Sequence, residues 1–267
     1  DNGWNNPLAD ENVMKMVEAL KIPFYRYNID LHKFHELQSA FIKSGVINIE
    51  IPTDHILLAA TYEMAAKYGV KYIVSGGNHT NEGIMPVSWS YRSGDLKHIK
   101  VIYKQFTGKE LKGLPVCSLL KFNWYKWVKR IEVINLLDYY DYNQETAKEI
   151  LNKDYGWQDY GIKHNESIFT QWFQNYYLPL KFGIDKRKAF YSSLINAGQI
   201  TRNEAIKKME EPINSKVIFP PEILNYPKHS HYEYPNNEKL WKFLTIFIQM
   251  SRGLYRKLTR SGGVIKG

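Results

Sequence analysis

The residues able to do chemistry gather in a few short stretches of this 267-residue chain. The first is YIVSGGNHTNEG, Tyr72 to Gly83. An apolar run ending in Gly76 and Gly77 lets backbone N–H groups approach a phosphate. Asn78 and Thr80 can hydrogen-bond a nucleotide, and Glu82 offers a carboxylate to Mg²⁺ or to a substrate hydroxyl. The second comprises KHNES (163–167) and FGIDKR (182–187). Lys163, Lys186 and Arg187 can neutralise phosphates, Arg187 with the two-pronged geometry of a guanidinium. His164 and Glu166 are of the types that bind substrate or move protons. IPTDH (51–55) adds Asp54 and His55 at a helix start. Each stretch also has a plainer reading: a strand-to-loop turn for 75–83, caps and solvated ion pairs for 163–187, and an N-cap for Asp54. No G-x-x-x-x-G-K-[ST] loop and no dinucleotide fingerprint occurs.

These residues need elements to position them. An apolar face at Val13, Met16, Val17 and Leu20 predicts a helix over 9–21, with Asp10 as its cap. Alternation predicts a strand at Pro23–Ile29, and Phe34, Leu37 and Phe41 predict a helix over 31–43. IEIPTD (49–54) reads as an extended entry to a buried helix from His55 to Tyr68, capped by Thr53 or Asp54 and closed by Gly69. Lys71–Ser75 reads as a short buried strand. Weak periodicity over 84–127 predicts an irregular insertion with short helices. Asn143 caps a helix through Leu151. An aromatic helix from Ser167 must end before Pro179. A helix over Lys186–Ala197 closes at Gly198, and Thr201 with Glu204 forms a capping box for the next one. Residues 213–236 read as a Pro-rich loop, and 237–258 as a long amphipathic helix with a disordered tail.

Composition bounds the partners. The net charge of +9 favours anionic ligands, or simply a solvated basic face. The 20 Tyr and 7 Trp suit half-wet cavities, since each ring carries a polar handle. A single cysteine, Cys117, makes no internal disulfide, so it reads as structural, in a reducing compartment. No apolar run approaches the ~20 residues of a membrane span. The opening DNGWNNPLADE is polar, so no signal peptide is read and a cytoplasmic location is expected. KFNWYKWVKR (121–130) mixes cations with aromatics that can stack bases and grip phosphates, or form an amphipathic surface segment. Arg252, Arg256, Lys257 and Arg260 give the last helix a basic end, suited to an anionic membrane or to solvent.

Taken together, DNGWN (1–5), IEIPTDH (49–55), YIVSGGN (72–78), DYGIKHNESIFT (159–170), LPLKFGIDKRKA (178–189) and GQITRNEA (198–205) resemble the N-acetyl sugar amidotransferase family of surface-polysaccharide and flagellin sugar biosynthesis. That family belongs to the PP-loop ATP pyrophosphatase superfamily. The resemblance implies an α/β fold: a Rossmann-like parallel sheet of the adenine nucleotide alpha hydrolase type, incomplete here, followed by a mainly helical C-terminal region. On this reading residues 1–127 are a partial nucleotide-binding domain with an insertion, and 128–267 a helical substrate or partner region. It implies ATP and Mg²⁺ as cofactors, a nucleotide-linked acetamido sugar of lipopolysaccharide or O-antigen biosynthesis as substrate, and ammonia from a glutaminase subunit. Lys186 and Arg187 would be catalytic. Asp1, Gly76, Gly77, Asn78, Thr80 and Glu82 would hold the nucleotide, with Glu82 also on the metal. Asp54, His55, Lys163, His164 and Glu166 would hold the sugar.

The resemblance also places a first strand ending in SGGxDS before Asp1, and DNGWN beside the adenine. A tRNA-modifying member of the superfamily is a second reading, although no RNA-binding module is visible and no nucleic-acid partner is expected. A non-catalytic scaffold in polysaccharide assembly is a third. The expectation for the chain as given is negligible release of AMP and pyrophosphate, restored by an upstream extension carrying SGGxDS, because adenylyl transfer depends on donors positioned around the phosphates. Robust release by the chain alone would contradict this.

Overall fold

A computed structural model describes residues 1–89, 92–161, 164–213, 234–244, 246 and 250. Three helices open the chain: α1 (Pro7–Leu20), α2 (Leu31–Ser44) and α3 (Ile51–Lys67). Strand β1 (Tyr72–Ser75) leads into the one-turn α4 (His79–Glu82), then α5 (Leu96–Thr107) and α6 (Leu119–Trp127). Strand β2 (Glu132–Asn135) is followed by α7 (Gln144–Tyr155) and α8 (Ile168–Trp172). A π-helical turn, Phe173–Tyr177, joins α8 to α9 (Leu178–Phe182); α10 (Arg187–Asn196) and α11 (Arg202–Glu210) follow. Residues 238–244 are helical as well. The class is α/β and mostly helical. Its only sheet among the described residues is parallel and two-stranded, with Tyr72 opposite Glu132 and Ser75 opposite Asn135. That pairing joins residues on both sides of position 127.

Local signals set most helix ends. Asp30, Ser118, Asn143 and Ser167 each accept a backbone N–H from the first turn of α2, α6, α7 and α8. Thr201 and Glu204 form the expected reciprocal box on α11. The cap of α1 is Asn6 rather than Asp10, because Pro7 fits the first turn, where a missing N–H costs nothing.

Packing corrects other expectations. Pro23–Ile29 is not a strand: no described residue pairs with it, and alternation without a partner does not make a sheet. Helix α3 starts at Ile51, four residues before the expected His55, since Pro52 is accommodated in its first turn. Strand β1 is not buried. Tyr72 and Val74 are 62% and 65% exposed, because nothing described covers that face of a two-stranded sheet. Residues 84–127 are more regular than expected. Helix α5 carries Ile99 and Ile102 at 0% exposure in the middle of the core. The aromatic helix does not stop before Pro179. The π turn ahead of it absorbs the missing N–H and the clash with the preceding turn, so the helical run continues to Phe182. Most of the expected loop 213–236, the distal part of the helix 237–258 and the tail lie outside the described residues.

The main core joins α2, α3, α5 and the α8–α9 run through Phe34, Leu37, Phe41, Ile51, Ile102, Trp172 and Leu178. A second cluster joins α3 to α6 through Ala59, Tyr62, Ala65, Phe122 and Tyr125. Among the described residues, no helix is long and apolar enough to cross a membrane. Phe41→Ala should destabilise the chain by about 3–5 kcal/mol in urea unfolding. Leu120→Ala, at an 82% exposed position, should stay within about 0.5 kcal/mol.

Candidate functional site

The site is built where the start of α3 meets the start of α8. Asn48 Oδ1 accepts the Glu50 N–H at 3.0 Å and turns the chain into α3. This places Glu50 at the cap and Asp54 one turn later, on the same side of the helix. The opening segment is pinned against α8: the Ile168 N–H donates to the Trp4 carbonyl, and the Asn6 N–H to the Glu166 carbonyl, both at 2.8 Å. The Thr170 hydroxyl of α8 donates to Glu50 Oε1. These contacts enclose an open cavity of about 790 Å³ lined by Glu50, Thr53, Asp54, Glu166 and Thr170 on its polar side. Tyr27, Ile56, Met64, Tyr68 and Ile73 form its apolar wall.

Burial dominates the electrostatics. It pushes the Glu50 carboxyl above the usual range, against the Thr170 hydrogen bond and the nearby Lys186 and His164. Asp54 is pushed up to about 7, first by burial and then by the neighbouring Glu50 charge, with Lys186 and His164 opposing. Asp54 keeps accessible surface because it faces the cavity, but protein surrounds it elsewhere. A carboxyl poised near neutrality can take up and release a proton at working pH.

A smaller cavity of about 310 Å³ adjoins this one, lined by Gly76, Asn78, Glu82, Lys148, His164 and Glu166 among others. Glu166 therefore lines both cavities. His164 holds a left-handed backbone at φ 70°, and its Nδ1 lies 3.3 Å from Glu166 Oε1. A residue with a Cβ in that conformation carries strain, which is more common at functional positions than elsewhere.

The sequence-derived residues divide accordingly. Asp1, Asp54 and Glu166 share the larger cavity; Gly76, Asn78, Glu82, His164 and Glu166 share the smaller. Lys186 lines neither, and its ammonium lies 5.8 Å from the Phe173 ring centre, although its charge reaches Glu50 and Asp54. Thr80 and Gly77 also line neither. Lys163 lies outside the described residues.

Two assignments are corrected by hydrogen bonding. Arg187 is tied down: its Nε and Nη2 clasp Asp185, and its Nη1 donates to the Glu211 carbonyl at 2.8 Å. That bidentate pair fastens the start of α10 to the end of α11 instead of presenting a cation to substrate. His55 is fully buried. Its Nδ1 donates to the Ser93 carbonyl at 2.7 Å and its Nε2 accepts the Cys117 N–H at 3.1 Å, a pairing that assigns the tautomer. Burial lowers its pKa, so it stays a neutral staple. Cys117 is buried, its thiol pushed up to about 11, as a structural residue would be.

Several amides of the loop 75–83 are already engaged by side chains. The Gly77 N–H donates to Ser75 Oγ, the His79 N–H to Asp138 Oδ1 and the Asn81 N–H to Asn78 Oδ1. Two of these amides are bonded within the loop, and the third is held by the Asp138 carboxylate. Glu82 does not make a metal centre: among the described residues no three His, Cys, Asp or Glu side chains converge. Glu82 would therefore hold Mg²⁺, if at all, together with substrate oxygens rather than in an all-protein cage.

Glu50 is the functional candidate that sequence reading missed. Its signal was Pro52, which marks a helix start two residues after Glu50 and so puts Glu50 and Asp54 on one face.

Residues 166–226 match the family model of the LPS biosynthesis protein WbpG-like, C-terminal domain. The matched segment begins at Glu166, in the wall between the two cavities, and runs through α8 to α11 and beyond. No curated protein matches the chain.

Stability should respond to the raised carboxyls. A carboxyl with a raised folded pKa holds a proton that the unfolded chain releases. The folded state is therefore favoured at low pH, and stability falls as pH rises from about 4, the usual Asp value, through about 7. The urea midpoint of the wild type should drop between pH 5 and pH 8, and Asp54→Asn should flatten that drop. An equal slope in the two proteins would contradict the placement of Asp54.

Proposed function

We propose that this chain is the sugar-handling part of an ATP-dependent amidotransferase of lipopolysaccharide biosynthesis, converting a sugar N-acetyl group to an acetamidino group. The observation that carries the reading is the larger cavity. It sets a carboxyl of near-neutral pKa in a half-apolar pocket whose wall includes the first residues of the segment that matches the WbpG-like domain. Such a pocket suits an uncharged, hydroxyl-rich sugar and its acetamido group better than it suits a phosphate, which two carboxylates would repel. The reaction replaces the amide oxygen by nitrogen: ATP would supply the adenylyl group that makes the amide oxygen a leaving group, a C–N bond forms to ammonia, the C–O bond breaks with the oxygen departing as part of AMP, and the incoming nitrogen loses protons. Asp54 takes a proton from that nitrogen as the C–N bond forms. Glu50, held by Thr170, hydrogen-bonds the acetamido group, and Ile56, Met64 and Tyr68 cover its methyl and keep water out. His164 and Lys186 set the charge state of the carboxyls from behind. ATP and Mg²⁺ enter through the family resemblance, as do the nucleotide-linked form of the substrate and a glutaminase partner supplying ammonia.

The scaffold reading is favoured by one observation, the engaged amides of the loop 75–83. The two are separated by giving the full-length protein ATP, an ammonium salt and a UDP-linked N-acetyl sugar, and following the exchange of O for NH by mass spectrometry. The wild type should convert the sugar, and Asp54→Asn should slow turnover by about 10²-fold or more, the contribution expected of a general base. Undiminished conversion by Asp54→Asn would overturn the assignment. A wild type that binds the sugar but never converts it would establish the scaffold.

A further inference from the structure

A third cavity, of about 700 Å³, lies on the other side of α3, at the N-terminal end of β2. It shares no lining residue with the two cavities around Glu166. Trp241 is its partly exposed aromatic wall, backed by the buried rings of Tyr62 and Phe122, and Arg92, Lys126 and Arg130 also line it. Among the described lining residues Glu132 is the only carboxylate, against three cations.

Three details show that this concentration of charge is held in place. Arg92 stacks with its guanidinium carbon 5.5 Å from the Trp241 ring centre. Trp241 can come that close because position 94 is glycine: a Cβ there would meet the indole at 3.2 Å. Arg130 adopts a left-handed backbone at φ 55°, a conformation that glycine takes at little cost and arginine does not. Retaining arginine there keeps a guanidinium in the lining at the expense of backbone strain. The stretch 121–130, whose mixture of cations and aromatics has no part in the sugar site, supplies Phe122, Lys126 and Arg130.

We propose that this cavity binds a nucleoside diphosphate, with the base against the aromatic wall and the phosphates between Arg92, Lys126 and Arg130. Arginine forks match phosphate oxygens, and a base stacked on an indole or phenyl face contributes about 1–3 kcal/mol. The cavity opens at the N-terminal end of β2, away from the loop 75–83, which follows the C-terminal end of β1. The inference stands apart from the sugar reading, because it uses different residues on the opposite side of α3.

The test is calorimetric titration of the chain with UDP, ADP and inorganic pyrophosphate, with tryptophan fluorescence read in parallel. UDP and ADP should bind more tightly than pyrophosphate. Arg130→Gly should weaken both nucleotides by at least about tenfold without lowering the melting temperature, since glycine suits that backbone better than arginine. Arg92→Ala should weaken them comparably. Trp241→Ala should weaken the nucleotides more than pyrophosphate, which loses only the positioning of Arg92, and Asp54→Asn should leave all three unchanged. Absence of nucleotide binding tighter than about 1 mM would overturn the proposal. So would affinities indifferent to both arginine variants. Pyrophosphate binding as tightly as UDP would overturn the stacking role of the aromatic wall.

Discussion

Helix α3 is the constraint on which the rest of the structure depends, because both hydrophobic clusters close on it. Ile51 and Ile56 enter the core shared with α2, α5 and α8, while Ala59, Tyr62 and Ala65 enter the cluster shared with α6. A helix gripped from both ends has little freedom to rotate or slide, since close-packed interiors yield only at the cost of cavities or clashes. That rigidity fixes where Glu50 and Asp54 point. It also fixes the backs of two cavities, one on each side: Ile56, Leu57 and Met64 contribute to one, Leu58 and Tyr62 to the other.

The placement of two carboxyls one turn apart costs stability. Like charges at that spacing repel, and burial disfavours both ionised forms. Three features offset part of the cost: the Thr170 hydroxyl on Glu50, the positive end of α3, and the nearby charges of His164 and Lys186. A stability-optimised chain would place neutral residues there. Arrangements that push carboxyl pKa values upward in a concave, half-apolar site are the ones that acid–base chemistry exploits.

Charge is placed differently elsewhere. Arg187 is neutralised by Asp185, and His79 Nδ1 lies 2.8 Å from Asp138 Oδ2. These pairs join segments distant in the chain or brace adjacent helix ends. The net charge of +9 is therefore not spread evenly over ligand-binding surfaces. Arg187 is paired in fastening the fold, whereas Arg92, Lys126 and Arg130 lie together in the cavity beside Trp241.

The sequence by itself determined the helices with strong local signals. Asn143, Ser167 and Thr201 cap as their residue types require, and Gly198 turns with a positive φ, because caps and left-handed turns are decided within a few residues. It also named Asp54, His164 and Glu166 as candidates, which line two adjoining cavities. Tertiary structure decided what each polar group is bonded to. His55 and Asp54 are adjacent in sequence, yet one is a buried staple between Ser93 and Cys117 and the other faces a cavity. A helix turns about 100° per residue, so neighbours point to different surroundings. Likewise the amides of 75–83 look free to meet a phosphate until Asp138, more than fifty residues away, takes that of His79. Hydrogen-bond partners and burial are long-range properties, and no window of the sequence contains them.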